Sequence, residues 1–141
     1  FCGENEVADA MLETTFGRLA SQIEPDGKQP LELERTASLG YSTFNLEAWT
    51  QLATIAETRG VDLWHFQSED GRSIKKAIDY LLPFVTEGKN WEHQQINPYK
   101  VQDFYRLLLK AADAFKDESY RRAANKIKDS NNNIFTKLFF E

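Results

Sequence analysis

Apolar residues three and four positions apart recur along nearly the whole chain, interrupted only by turn residues. That spacing collects them on one face of an α-helix, so the chain must fold by pairing helices through those faces. The first stretch runs from Glu4 to Ile23, with Val7, Ala8, Met11, Leu12, Phe16, Leu19, Ala20 and Ile23 as its buried stripe. Met11 reads as a core filler. Pro25-Asp26-Gly27 then stops the helix with turn chemistry. Gln29-Pro30 favours an extended backbone, and Leu31 to Arg35 alternates apolar and charged residues, which predicts a short extended segment. Ser38 reads as the N-cap of a second long helix, Leu39 to Arg59. Its stripe is expected through Tyr41, Phe44, Asn45, Ala48, Trp49, Leu52, Ala53 and Ile55 or Ala56, with Gly60 as the stop.

A loop follows from Val61 to Arg72, expected to be pinned by Trp64 and Phe66. Ser73 or Asp70 caps a third helix reaching about Leu82, with Pro83 marking its end or a kinked continuation running to Val85. A second loop, Glu87 to Asn97, carries Trp91, His93, Gln94 and Gln95. Asn97-Pro98 predicts a helix start, cap then first-turn proline, with the helix running to Phe115. Glu118 to Lys128 is a shorter helix, Ser130 to Asn133 a turn, and Ile134 to Phe140 a last apolar segment. The sum is about six helices in antiparallel hairpins with no strand, an all-α class.

The 141 residues are enough for a single domain with one core. No apolar run reaches the length of a membrane span. A net charge of −5 argues against a nucleic-acid partner, and an acidic polymer would need a local basic site. Cys2 is alone, and neither His65 nor His93 shows metal-ligand spacing, so no metal or cofactor is called for. The first residue is not Met and helical periodicity begins at once, so a piece of a longer chain is expected, with any targeting segment upstream.

The most informative polar stretch is Asp26 to Asn45, where a turn feeds Gln29, Glu32, Arg35, Ser38, Tyr41 and Asn45 onto a helix. Tyr41 and Asn45 are four apart and share a helix face, and Arg35 lies just before that helix. Taken singly, Tyr41 fits a core position with a satisfied hydroxyl, and Arg35 a salt-bridge residue. Glu32 pairs with Arg35 or is solvated.

The string Gln29, Pro30, Glu32, Leu33, Arg35, Thr36, Ser38, Tyr41, Ser42, Phe44, Asn45 and Leu46 resembles the C-terminal part of the alginate lyase domain. Ile23, Pro25, Asp26 and Gly27 extend the resemblance upstream. Gly60 to Trp64 and Asp70 to Ser73 extend it downstream, so that it spans about Ala20 to Ile96. The family implies an α/α-toroid, of which three helical hairpins would be an incomplete ring. It implies residues 1–141 as the C-terminal fragment of a larger lyase domain, in a secreted or periplasmic parent. The implied reaction is β-elimination on a uronate polysaccharide. By resemblance Arg35 contacts the substrate carboxylate and Tyr41 protonates the leaving oxygen, or acts as base on one uronate epimer. Gln29, Glu32 and Asn45 are candidate substrate-binding residues.

An Asn-His pair completes the family's site, but neither His65 nor His93 follows an asparagine. The isolated chain is therefore expected to have little or no activity, and its partners would be an acidic polysaccharide, the missing N-terminal part, or a second copy. Two other readings compete. A glycoside hydrolase on the same ring would need two facing carboxylates, but Glu32 and Glu34 point to opposite sides if extended. A non-catalytic helical module would bind carbohydrate or a partner through Phe139-Phe140.

Overall fold

The computed structural model describes the backbone of residues 4–140 and the side chains of Ala10 and residues 14–129. Six helices follow one another: α1 (Glu4–Gln22), α2 (Pro30–Leu33), α3 (Ser38–Glu57), α4 (Ile74–Thr86), α5 (Val101–Phe115) and α6 (Glu118–Phe140). No sheet forms among the described residues; the nearest thing is one antiparallel bridge between Ala37 and Gln95. The all-α class expected from periodicity is therefore the class found. Met11 and the upstream part of the α1 stripe, like Phe139 and Phe140, lie outside the described side chains.

One apolar core joins the helices. Leu39, Leu46, Trp49, Ala53 and Ala56 of α3 meet Ile74, Ala77, Ile78 and Leu81 of α4. Phe104, Leu107, Leu108, Ala111 and Ala112 of α5 and Tyr120, Ala123, Ala124 and Ile127 of α6 complete it, with Leu19 and Ile23 from the end of α1. Each set keeps the three-four spacing. At 25 cal/mol per Å², each fully buried leucine or isoleucine contributes roughly 1.5–3 kcal/mol.

The phase of α3 differs from the expected stripe. Its buried face runs through Leu39, Ser42, Thr43, Leu46, Trp49, Thr50, Ala53 and Ala56. Tyr41, Phe44 and Ile55 are exposed instead. Two of the buried polar residues are satisfied by the helix itself, while Ser42 Oγ is buried without a hydrogen-bond partner among the described residues. Thr43 Oγ1 donates to the Leu39 carbonyl (2.9 Å) and Thr50 Oγ1 to that of Glu47 (2.9 Å).

Three boundaries also move. Leu31 to Arg35 is not extended: Pro30 opens a single helical turn, closed by Leu33 N and Glu34 N donating to the Gln29 and Pro30 carbonyls. A proline at the first helical position suits such a turn. Helix α4 takes the continued course, running through Pro83 to Thr86. Helix α5 starts at Val101, not Pro98, because the segment before it is used elsewhere: Asn97 O accepts from Gln95 Nε2 (2.8 Å) and Tyr99 reaches back to α3. The turn expected at Ser130 to Asn133 is helical, part of α6.

Two features of the resembling string are structural fixtures. Gly27 has φ +91°, and a Cβ there would lie 2.1 Å from the Lys76 carbonyl oxygen. Arg72 donates through Nη1 to the Ala20 carbonyl (2.8 Å) and the Ile23 carbonyl (3.3 Å), capping the end of α1 with a cation. Asp70 holds the Arg72 Nε at 2.8 Å. The loop before α4 is pinned as expected, Trp64 buried edge-on to Phe115 and Phe66 stacked near Phe16. Ser73 caps α4, accepting from Lys76 N (3.1 Å).

Candidate active site

The start of α3 carries the candidate site, and its geometry is set from both sides. Ser38 is not its own helix's cap. Its Oγ donates to the Gln94 carbonyl (2.7 Å) and accepts from Trp91 Nε1 (2.8 Å). Ser38 N donates to the same Gln94 carbonyl (3.0 Å), Leu39 N to Gln95 Oε1 (3.0 Å), and Ile96 N to the Thr36 carbonyl (2.9 Å). The orphan amides of the helix start are thus satisfied by a loop some fifty-six residues away in sequence. Tyr99 adds a further tie. Thr43 Oγ1 already donates to Leu39, so the Tyr99 hydroxyl donates to Thr43 (2.7 Å). Burial pushes the Tyr99 phenol well above its ordinary pKa, against the lowering influence of Thr43.

On the other side of α3 lies an amide network. Trp49 Nε1 is donor-only and fixes Gln22 Oε1 towards it (3.2 Å). The Ser42 carbonyl is acceptor-only and fixes Gln29 Nε2 (3.1 Å), leaving Gln29 Oε1 to accept from Asn45 Nδ2 (2.8 Å). Asn45 Nδ2 also reaches Gln22 Oε1 at 3.4 Å. Gln29 is 2% exposed, with both ends of its amide committed inside the protein. Asn45 is half-buried and its Oδ1 has no protein partner among the described residues.

Between these two supports, the Arg35 guanidinium lies over the Tyr41 ring, 4.1 Å from its centroid. The stacking holds two exposed side chains together while leaving the guanidinium donors and the phenol hydroxyl without protein hydrogen bonds among the described residues. Glu32, half-exposed, makes no ion pair with Arg35, whose partner is the ring. Arg35, Tyr41 and Asn45 thus lie together on the open side of α3, whereas Gln29 is beneath them and Glu32 sits on the turn before. Gln22, Trp49, Trp91 and Gln95 complete the surroundings. The only local hint of them was the four-residue spacing of Asn45 and Trp49. Of the histidines, His93 stacks near Trp91 (5.0 Å) at this end of the helices. His65 is held by Asp62 and packs edge-on against Phe115, beyond the far end of α3.

Chemically, a free planar guanidinium fits a carboxylate in a two-pronged hydrogen bond. A free phenol beside it is a proton donor to an oxygen held at the same place.

Comparison with known proteins places the chain in a family. A family model described as alginate lyase matches residues 1–91, reaching further upstream than the resembling string. A crystal structure of an alginate lyase from Bacteroides ovatus superposes with a TM-score of 0.72 at 39% identity, over 77% of this chain. The chain spans 30% of that protein's length. No curated protein matches the chain. The packed helices, without a sheet among the described residues, are consistent with part of an α/α-toroid. With the family model matching well over half of its residues and the fold following the same course, the chain belongs to the alginate lyase family.

Proposed function

We propose that this chain forms the C-terminal part of a polysaccharide lyase that cuts a uronate-containing polysaccharide by β-elimination, in a periplasmic or secreted parent. The observation that carries the proposal is the Arg35 guanidinium stacked on the Tyr41 ring at 4.1 Å, with neither group spent on another hydrogen bond among the described residues. Arg35 binds the C6 carboxylate of the uronate and draws charge from it, which acidifies the C5 proton. A base removes that proton, the C5–H electron pair becomes the C4=C5 double bond, and the C4–O4 bond breaks with its pair going to O4. Tyr41 gives its phenolic proton to O4. Asn45 offers its free Oδ1 to a sugar hydroxyl, and Gln29, buried beneath, positions Asn45 through its amide. Glu32 reaches substrate only from the rim.

The chain holds just two histidines, neither following an asparagine. The family's Asn-His element would come from the remainder of the ring, so little activity is expected from this chain alone. The test is absorbance of the new C4=C5 bond, measured on the full-length polypeptide bearing this segment with alginate, pectic, heparinoid and glucuronan substrates. Tyr41→Phe is expected to lower the rate by about 10²–10⁴-fold, the usual worth of a positioned proton donor. Arg35→Ala should raise KM and lower kcat together. Full activity in a folded Tyr41→Phe variant would overturn the assignment. Binding of polysaccharide with no absorbance from any polymer would replace the reaction by a non-catalytic binding role.

A further inference from the structure

A second crevice, of about 240 Å³, lies at the same end of the helices and is lined by Lys28, Tyr80, Phe84, Lys89, Glu92 and His93. Its aromatic lining, Tyr80, Phe84 and His93, is backed by Trp91. Tyr80 and Phe84 are 5.5 Å apart, Phe84 meets Trp91 edge-on at 4.9 Å, and Trp91 packs near His93 at 5.0 Å. The charges within it are not equivalent. Lys28 is paired with Asp26 at 2.8 Å, and that pair is nearly closed on itself. Lys89 has no carboxylate partner among the described residues; its Nζ sits 4.8 Å from the Phe84 ring centroid. Glu92 is exposed and likewise without an ion pair among those residues.

We propose that this crevice is a second carbohydrate subsite that takes one acidic sugar ring. The apolar face of the ring lies on the Tyr80–Phe84–His93 wall, its carboxylate meets the unpaired Lys89, and its hydroxyls meet Glu92. Aromatic walls with a few convergent polar groups are the usual make-up of a small-ligand site, and a cation over an aromatic face marks where a sugar carboxylate can be met without desolvating a paired charge. Trp91, packed against the Phe84 and His93 lining, ties this crevice's surroundings to the start of α3. Trp91 Nε1 donates to Ser38 Oγ (2.8 Å), and Ser38 stands three residues from Arg35 and three from Tyr41. The identity of the ligand rests on the lyase reading above; the existence of the site does not.

The test uses the 141-residue chain labelled with ¹⁵N and titrated with hexamers of mannuronate, of galacturonate and of uncharged mannose. Saturable shifts are expected at the Lys89 and Phe84 amides and the Trp91 indole with an acidic hexamer, and none with the neutral one. Lys89→Gln, at an exposed position that does not disturb the core, should weaken binding roughly tenfold. Lys110→Gln, on another face, should leave it unchanged. The same shifts must persist in Tyr41→Phe and Arg35→Ala, so a failure of the lyase chemistry leaves this result standing. Equal binding of the neutral hexamer, unchanged affinity in Lys89→Gln, or shifts confined to Arg35 and Tyr41 would each overturn the proposal.

Discussion

Gly27 shows how a single residue in the resembling string can be fixed by packing instead of chemistry. Its φ of +91° lies where side chains are strained, and a Cβ would press on the Lys76 carbonyl at 2.1 Å. A left-handed conformation alone costs roughly 1–2 kcal/mol for a non-glycine residue, and overpacking adds roughly 1–3 kcal/mol. Gly27→Ala is therefore expected to destabilise the fold by at least about 2 kcal/mol in urea unfolding; a loss under 0.5 kcal/mol would mean that the turn and α4 separate freely. Gln29 is fixed for a related reason. Within the resembling string it is a candidate sugar contact, yet its two amide ends are taken by Ser42 and Asn45 inside the protein. Gln29→Ala should cost roughly 1–3 kcal/mol by stranding the Asn45 donor. Were it a direct sugar ligand, the same change would lower binding with no loss of stability.

At the scale of the elements, helix existence was legible and helix phase was not. In α3 the buried face mixes Ser42, Thr43 and Thr50 with leucine, tryptophan and alanine, while Tyr41, Phe44 and Ile55 line the open side. A reading by hydrophobicity follows the aromatics and rotates the helix, because the Thr43 and Thr50 hydroxyls bond their own backbone and so look polar but bury cheaply. The site was visible only in part for a similar reason. Arg35 and Tyr41 are close in sequence, but Trp91 and Gln95 arrive from more than fifty residues away, and no local pattern announces them. Element ends carry their own signature. Helix α5 closes on Lys116 at φ +53°, a left-handed cap position that usually holds glycine. Lys116→Gly is expected to raise stability by about 1 kcal/mol, seen as a higher urea midpoint with unchanged m. An unchanged or lower midpoint would mean that the lysine side chain contributes more than its backbone costs.

Across the whole molecule, two tyrosine hydroxyls fasten helices that are far apart in sequence. Tyr99 ties the segment before α5 to Thr43 of α3. Tyr120 of α6 donates to Asp79 of α4 and accepts from Lys75 Nζ at 2.8 Å. Burial raises both phenols above their ordinary pKa, and at Tyr120 the Asp79 carboxylate raises it further. In the unfolded chain each loses its proton near pH 10. Above that point the folded state holds protons that the unfolded state has released, so stability falls as pH rises. The contribution is therefore complete below about pH 10 and is lost progressively above it, with a slope of at most about 1.4 kcal/mol per pH unit for each tyrosine. Urea unfolding at pH 8, 9.5, 10.5 and 11 reads this directly. The wild-type chain should change little between the first two values and weaken steeply across the last two. Tyr99→Phe should start less stable, by roughly 1 kcal/mol for the lost hydrogen bond, yet fall less steeply above pH 10, so that the two curves converge. Parallel curves would show that Tyr99 ionises alike in both states and that the clasp on Thr43 opens before the helices part.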